Sequence, residues 1–204
     1  MTNAIKSWGL CIKSILMYMT KYSLFTRDGD PAYRALVLPG MGYTCQAPYL
    51  SYAAQVLHEQ GWTVDSLIWD GGPSDRKEAR ETYDFVLRQL EAQGSQCLVV
   101  SKSLATVVLP TAVELGIPGV WLTPVFFPEV QDALSRMSGL DLPALFVGGT
   151  ADESWQADRA RGAGTVVEIE GGNHGLEIPG DWSASWSALG KTMNALSEFT
   201  TRLK

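Results

Sequence analysis

The chain is 204 residues long, with 46% hydrophobic and 19% charged residues. That composition specifies one domain with one sizeable core and excludes a disordered chain. A formal net charge of −6 excludes the basic stripe with which a nucleic-acid-binding domain meets phosphates.

Residues 5–19 are the longest mainly apolar stretch, but Lys13 interrupts them, and a spanning helix needs about 18 apolar residues in a row. Wound as a helix, the stretch is amphipathic. Ile5, Trp8, Ile12, Ile15, Leu16 and Met19 share one face, and Lys6, Lys13 and Lys21 the other. No small-residue cleavage site of a secretory signal follows it. Residues 1–20 therefore read as an appendage that packs on the domain or meets a partner. Two alternatives stay open: extra residues before a start at Met17 or Met19, and attachment to a membrane surface. The domain proper is 21–204.

From there the chain alternates. Residues 22–27 predict a strand closed by the turn cluster Asp28-Gly29-Asp30-Pro31. Residues 35–38 are an apolar strand stopped by Pro39-Gly40, 46–60 a helix with Gly61 past its end, and 63–69 a strand closed by Asp70-Gly71-Gly72-Pro73. Asp75, with Glu78 three residues on, marks a helix start of the capping-box kind. Strands follow over 96–100, 120–123, 144–147 and 165–169. Between and after them lie helices over 104–115, 129–137 and 153–161. A last helix carries Trp182, Trp186, Leu189, Met193 and Leu196 at alternating spacings of four and three.

Strands apolar on both faces, alternating with amphipathic helices, predict a three-layer α/β/α sandwich. Its mainly parallel sheet has six to seven strands. Ligands of such sheets bind at the carboxyl ends of the strands, which directs attention to the loops just after each strand.

Four of these loops carry chemistry. Ser101-Lys102-Ser103-Leu104-Ala105 joins an apolar strand to a helix. A nucleophile on so tight a turn needs small neighbours two residues before and after it, and Ser101 and Ala105 supply them. The bland alternative is a serine capping a helix. Asp152 follows the strand ending at Gly148-Gly149, and His174 follows the strand ending before Gly171-Gly172. The order Ser103, Asp152, His174 is that of a nucleophile, orienter and base on an alternating sheet. The chain's other histidine, His58, falls within a predicted helix and reads as structural. The fourth loop, Pro39-Gly40-Met41-Gly42-Tyr43, is a glycine-rich turn able to aim a backbone N–H at an oxyanion. Met41 is the expected donor, with Gly42 or Tyr43 as alternatives, and Leu104 is the second.

Together these loops resemble the α/β-hydrolase family, from about Tyr22 to the end of the chain, and in particular its small members related to dienelactone hydrolases and minimal serine esterases. The resemblance implies a serine hydrolase of carboxylic esters or thioesters, with Ser103 as nucleophile, His174 as base, Asp152 as orienter, and neither metal nor organic cofactor. Three residues depart from the pattern: Ser101 and Ala105 stand where the elbow usually has glycines, and Pro39-Gly40 stands where many members have His-Gly. Residues 124–142 have room for one helix and no cap domain, which implies an open, shallow pocket walled by Gly42, Tyr43, Phe126, Phe127 and Trp155. Three cysteines without paired spacing, Cys11, Cys45 and Cys97, point to a reducing, cytoplasmic setting. Two other readings stay in view. One is a binding protein that keeps the fold without the chemistry. The other is a nucleotide-binding module on Gly40-Met41-Gly42, in which Cys45 stands where the third glycine of the fingerprint belongs.

Overall fold

A computed structural model describes residues 21–204; the amphipathic appendage expected over 1–20 lies outside them. The strands are β1 (Tyr22–Arg27), β2 (Asp30–Leu38), β3 (Trp62–Trp69), β4 (Gln96–Lys102), β5 (Gly119–Leu122), β6 (Ala144–Gly149) and β7 (Thr165–Ile169). They form one sheet in the order β1-β3-β2-β4-β5-β6-β7. All neighbours run parallel except β1, which lies antiparallel on β3. The helices are α1 (Pro48–Glu59), α2 (Arg76–Glu91), α3 (Leu109–Leu115), α4 (Pro128–Met137), α5 (Ala157–Arg161) and α6 (Trp182–Thr201), with a 3₁₀-helix over Ser103–Val108.

The period-two alternation of the strands divides the core into two layers. Leu36, Leu38, Cys97, Val99, Trp121 and Phe146 face α2, α3, α4 and the 3₁₀-helix. Ala35, Val37, Leu98, Val100, Leu122 and Val147 face α1 and α6. Each fully buried aliphatic side chain contributes roughly 1.5–3 kcal/mol through its removal from water.

Chain order sets the position of the site. After β2 the chain moves outward to β3, then returns to the other side of β2 for β4. The connections leaving β2 and β4 therefore diverge, and a crevice opens between them at their carboxyl ends. Only α4 lies between β5 and β6, so among the described residues no cap domain covers the crevice.

The structure corrects several boundaries. The turn cluster after β1 shrinks to Asp28-Gly29, because β2 already starts at Asp30. The helix expected over 104–115 begins as a 3₁₀-helix and becomes α-helical only at Leu109. The helix expected from 153 starts at Ala157, since the Asp152 carboxylate accepts the Ser154 amide in a local turn instead. Asp75 does cap α2, accepting the Glu78 amide at 2.8 Å, while the Glu78 carboxylate reaches back to the Ser74 amide at 2.5 Å. In α6 the apolar spacing holds only from Leu189 onward. Trp182 and Trp186 are 82% and 62% exposed and, with Tyr49, Tyr52 and Ile178, line a groove of about 770 Å³.

Candidate active site

Ser103 ends the run of β4 and opens the 3₁₀-helix, and its backbone φ is +52°. An L-residue pays for that left-handed conformation in strain. Here it lifts the side chain off the strand end instead of letting it continue the pleat. Ser101 and Ala105, both fully buried, are small enough for the turn to close around them. The bland alternative, a serine capping a helix, does not describe the geometry: the residue in the cap position is Lys102, and no side chain caps this helix.

Three strand ends bring three side chains together. Ser103 Oγ lies 2.7 Å from His174 Nε2, and His174 Nδ1 lies 2.7 Å from Asp152 Oδ2. An ionised carboxylate can only accept, so Nδ1 carries the proton and donates it to Asp152, leaving Nε2 to accept from the serine hydroxyl. Asp152 is nearly buried, at 3% side-chain exposure, while the imidazole is 43% exposed. The aspartate's other oxygen accepts the Ser154 amide, which fixes the carboxylate plane.

The loops carrying Asp152 and His174 are laced into one unit. The Thr150 amide donates to the Ile169 carbonyl, the Ala151 amide to Gly172, and the Gly171 amide to the Thr150 hydroxyl. They approach so closely that a β-carbon on Gly149 would stand 2.0 Å from the Gly172 carbonyl oxygen, so only glycine fits there. Asn173 folds the following turn by accepting the amides of Gly175 and Glu177. The Tyr49 hydroxyl ties that turn to α1 through the Leu176 carbonyl.

The glycine-rich turn after β2 packs directly on the elbow. Gly40 and Tyr43 exchange backbone hydrogen bonds, which occupies the Tyr43 amide and leaves Met41 and Gly42 at the tip. Met41 is 57% exposed. Leu104 is the second residue of the 3₁₀-helix, so its amide has no intrahelical acceptor. Gly42 and Tyr43 line a pocket of about 330 Å³ between this turn and Trp69. Of the other expected wall residues, Phe126 is buried in the core layer, and Phe127 and Trp155, partly buried, pack against that layer. The Phe127 ring stacks under the Arg76 guanidinium, and the Trp155 indole donates to Glu168. Burying these apolar faces in the core outweighs leaving them in an open cleft.

The sequence reading missed one residue, Lys102. It is the last residue of β4 and only 1% exposed. Its Nζ donates to Thr123 Oγ1 at 2.7 Å and to the His174 carbonyl at 2.8 Å, and it lies 4.7 Å from the centre of the Tyr43 ring. Burial pushes its ammonium down to about 8, against the opposing pull of Asp152 and Glu177. The signal was available in the strand's alternation: Lys102 follows Leu98 and Val100 on a face that is buried throughout. Among the described residues no group of His, Cys, Asp and Glu is arranged to hold a metal ion, and no helix is long and apolar enough to cross a membrane.

No protein-family model matches the chain, and no curated protein matches it. Solved structures do. Est1E from Butyrivibrio proteoclasticus, with ferulic acid bound, superimposes with a TM-score of 0.67 at 12% identity, over 89% of this chain and 94% of that one. Dienelactone hydrolase from Anabaena variabilis gives a TM-score of 0.63 at 17% identity, over 90% and 93%. A monoacylglycerol lipase from Paleococcus ferrophilus gives 0.63 at 13%, over 88% and 100%. The chain has the α/β-hydrolase fold.

Proposed function

We propose that the protein is a serine hydrolase of carboxylic esters or thioesters. The observation that carries this reading is the pair of 2.7 Å contacts linking Ser103, His174 and Asp152 from three separate strand ends, with the serine on a strained backbone. The similar structures, Est1E solved with ferulic acid, a monoacylglycerol lipase and a dienelactone hydrolase by their names, support ester chemistry over other acyl transfers.

In this mechanism Ser103 Oγ bonds to the acyl carbon while His174 Nε2 takes its proton. The imidazolium so formed is stabilised by Asp152. The amides of Met41 and Leu104 hold the oxyanion, and Gly42 and Tyr43 border the acyl site. As the carbon–oxygen or carbon–sulfur bond breaks, His174 returns the proton to the departing alcohol or thiol. Water then attacks the acyl-enzyme, giving its proton to His174, and Ser103 leaves with that proton restored. No step requires a metal or an organic cofactor.

The test is a fluorophosphonate probe on the folded full-length chain, with the site of attachment read by mass spectrometry. Covalent labelling at Ser103, together with turnover of simple esters, supports the reading. A folded protein that stays unlabelled overturns it in favour of a binding protein on the same fold. The nucleotide-binding alternative gains no support from the glycine turn: α1 starts only at Pro48, with Ala47 before it and no side-chain cap, so no helix N-terminus opens directly onto Gly40-Met41-Gly42.

A further inference from the structure

A buried cation beside a nucleophile needs a reason. Lys102 is fully enclosed, and among the described residues no carboxylate lies within ion-pair distance of it. Removing an unpaired ammonium from water is costly, and an apolar side chain of the same length would fill the space without that cost. Nothing in the elbow's backbone requires lysine, since only the positions two before and two after the serine must be small. What Lys102 does have is contact with four of the loops that build the site. Its backbone precedes Ser103. Its Nζ holds the His174 carbonyl on the β7 side and the Thr123 hydroxyl at the end of β5, where Thr123 itself has φ +42°. The Tyr43 ring, from the turn after β2, covers it.

We infer that Lys102 is a positioning residue for the proposed hydrolysis: its ammonium clamps the backbone of His174 against the serine elbow. The inference rests on the Ser103–His174–Asp152 reading. The clamp acts on distance, because the carbonyl it holds belongs to the residue whose ring must stay within hydrogen-bond reach of Ser103 Oγ. The charged and titratable groups facing Lys102 are Asp152 from the β6 side, Glu177 and His174 from the loop after β7, and Tyr43 from the turn after β2. The two carboxylates favour the charged lysine, and burial opposes it with the larger effect.

Two substitutions in the full-length protein test the clamp. Lys102→Met removes the donor, and Lys102→Gln keeps amide donors. The readouts are the rate of fluorophosphonate labelling and, separately, kcat and KM on p-nitrophenyl butyrate. For Lys102→Met, labelling is expected to slow at least about tenfold, with kcat falling and KM nearly unchanged, as when reacting groups drift out of alignment. Lys102→Gln, whose amide can still donate to the His174 carbonyl, is expected to recover most of the labelling rate. A merely structural lysine would lower the melting temperature without lowering kcat in the folded variants. A folded Lys102→Met that is labelled at the wild-type rate overturns the inference; if that variant does not fold, a folded Lys102→Gln whose labelling slows at least about tenfold overturns it, because the donor is kept. A wild type that is not labelled at Ser103 overturns the underlying reading and this inference with it.

Discussion

Gly40 and Ser103 stand in near van der Waals contact across the crevice: a β-carbon on Gly40 would lie 3.2 Å from Ser103 Cβ and 3.0 Å from the Lys102 carbonyl oxygen. The glycine therefore sets how closely the expected oxyanion turn can approach the nucleophile. Gly40→Ala would push that turn away by a few tenths of an ångström. The expected result is a loss of about tenfold to a hundredfold in kcat, because catalytic donors tolerate little displacement, with only a small change in melting temperature. Steady-state kinetics and a thermal melt on one preparation check it.

The strained serine gives a second expectation. Ser103→Ala should lower turnover on the order of 10⁴-fold, since no acyl-enzyme can form. Because φ at this position is +52°, Ser103→Gly should be equally inactive yet more stable than Ser103→Ala by about 1 kcal/mol. Denaturant titrations of the two variants decide it. Ser101 is the control: among the described residues its buried hydroxyl has no hydrogen-bond partner. Ser101→Ala removes that unsatisfied group, so activity should persist and stability should rise by up to about 1 kcal/mol. If Ser101→Ala is inactive while Ser103→Ala turns over, the nucleophile has been placed two residues out.

A third expectation concerns the sheet edge far from the chemistry. Asp65, in the middle of β3, has a fully buried side chain. It accepts from Thr26 Oγ1 on β1 at 2.6 Å and from Arg34 Nε on β2 at 2.6 Å. Arg34→Ala leaves this carboxylate buried and unpaired, which should cost about 3–5 kcal/mol. Adding Asp65→Ala should recover part of the loss. Urea unfolding of the single and double variants measures the difference; equal losses would show that the ion pair is not what matters.

Lys102 predicts the sign of a stability change with pH. Its folded value of about 8 lies below its ordinary 10.5. Between the two the unfolded chain holds a proton that the folded chain has released, so stability from this group rises with pH through that window and is lost as pH falls through about 8. The rise amounts to at most about 3 kcal/mol. Burial raises the thiols of Cys97 and Cys45, to about 11 and about 12, and these act in the opposite direction above pH 9. The measurement is therefore the difference between wild type and Lys102→Met, taken at each pH from 7 to 10. A constant difference would show that the lysine does not change its charge in the folded protein.

Much of the fold was legible because each element had its own signal. β1 and β7 fall where apolar runs meet turn residues, and Asp75 caps α2 through the side chain that the spacing singled out. The loops carrying Ser103, Asp152 and His174 were legible because each follows a strand. Tertiary packing hid the rest. The strand expected over 96–100 stops short of Lys102, whereas β4 runs through it. Trp182 and Trp186 fit the helical spacing of α6 but line a surface groove, since periodicity reports which residues share a face and not what covers it. Phe126, Phe127 and Trp155 follow strand ends, as cleft residues do, and the spacing did not show that Phe126 is a buried member of the core layer. Asp65 sits among the residues of a buried strand and gave no sign of its arginine.

The interlocked Gly149–Gly172 backbones join the loops of Asp152 and His174 into one unit, while Gly40 packs on the elbow in another. These two halves of the sheet meet across β5, which is only four residues long. The hydrogen bond from Lys102 on β4 to the His174 carbonyl spans that junction, so the gap between Ser103 and His174 is held from the backbone and does not rest on the two side chains alone.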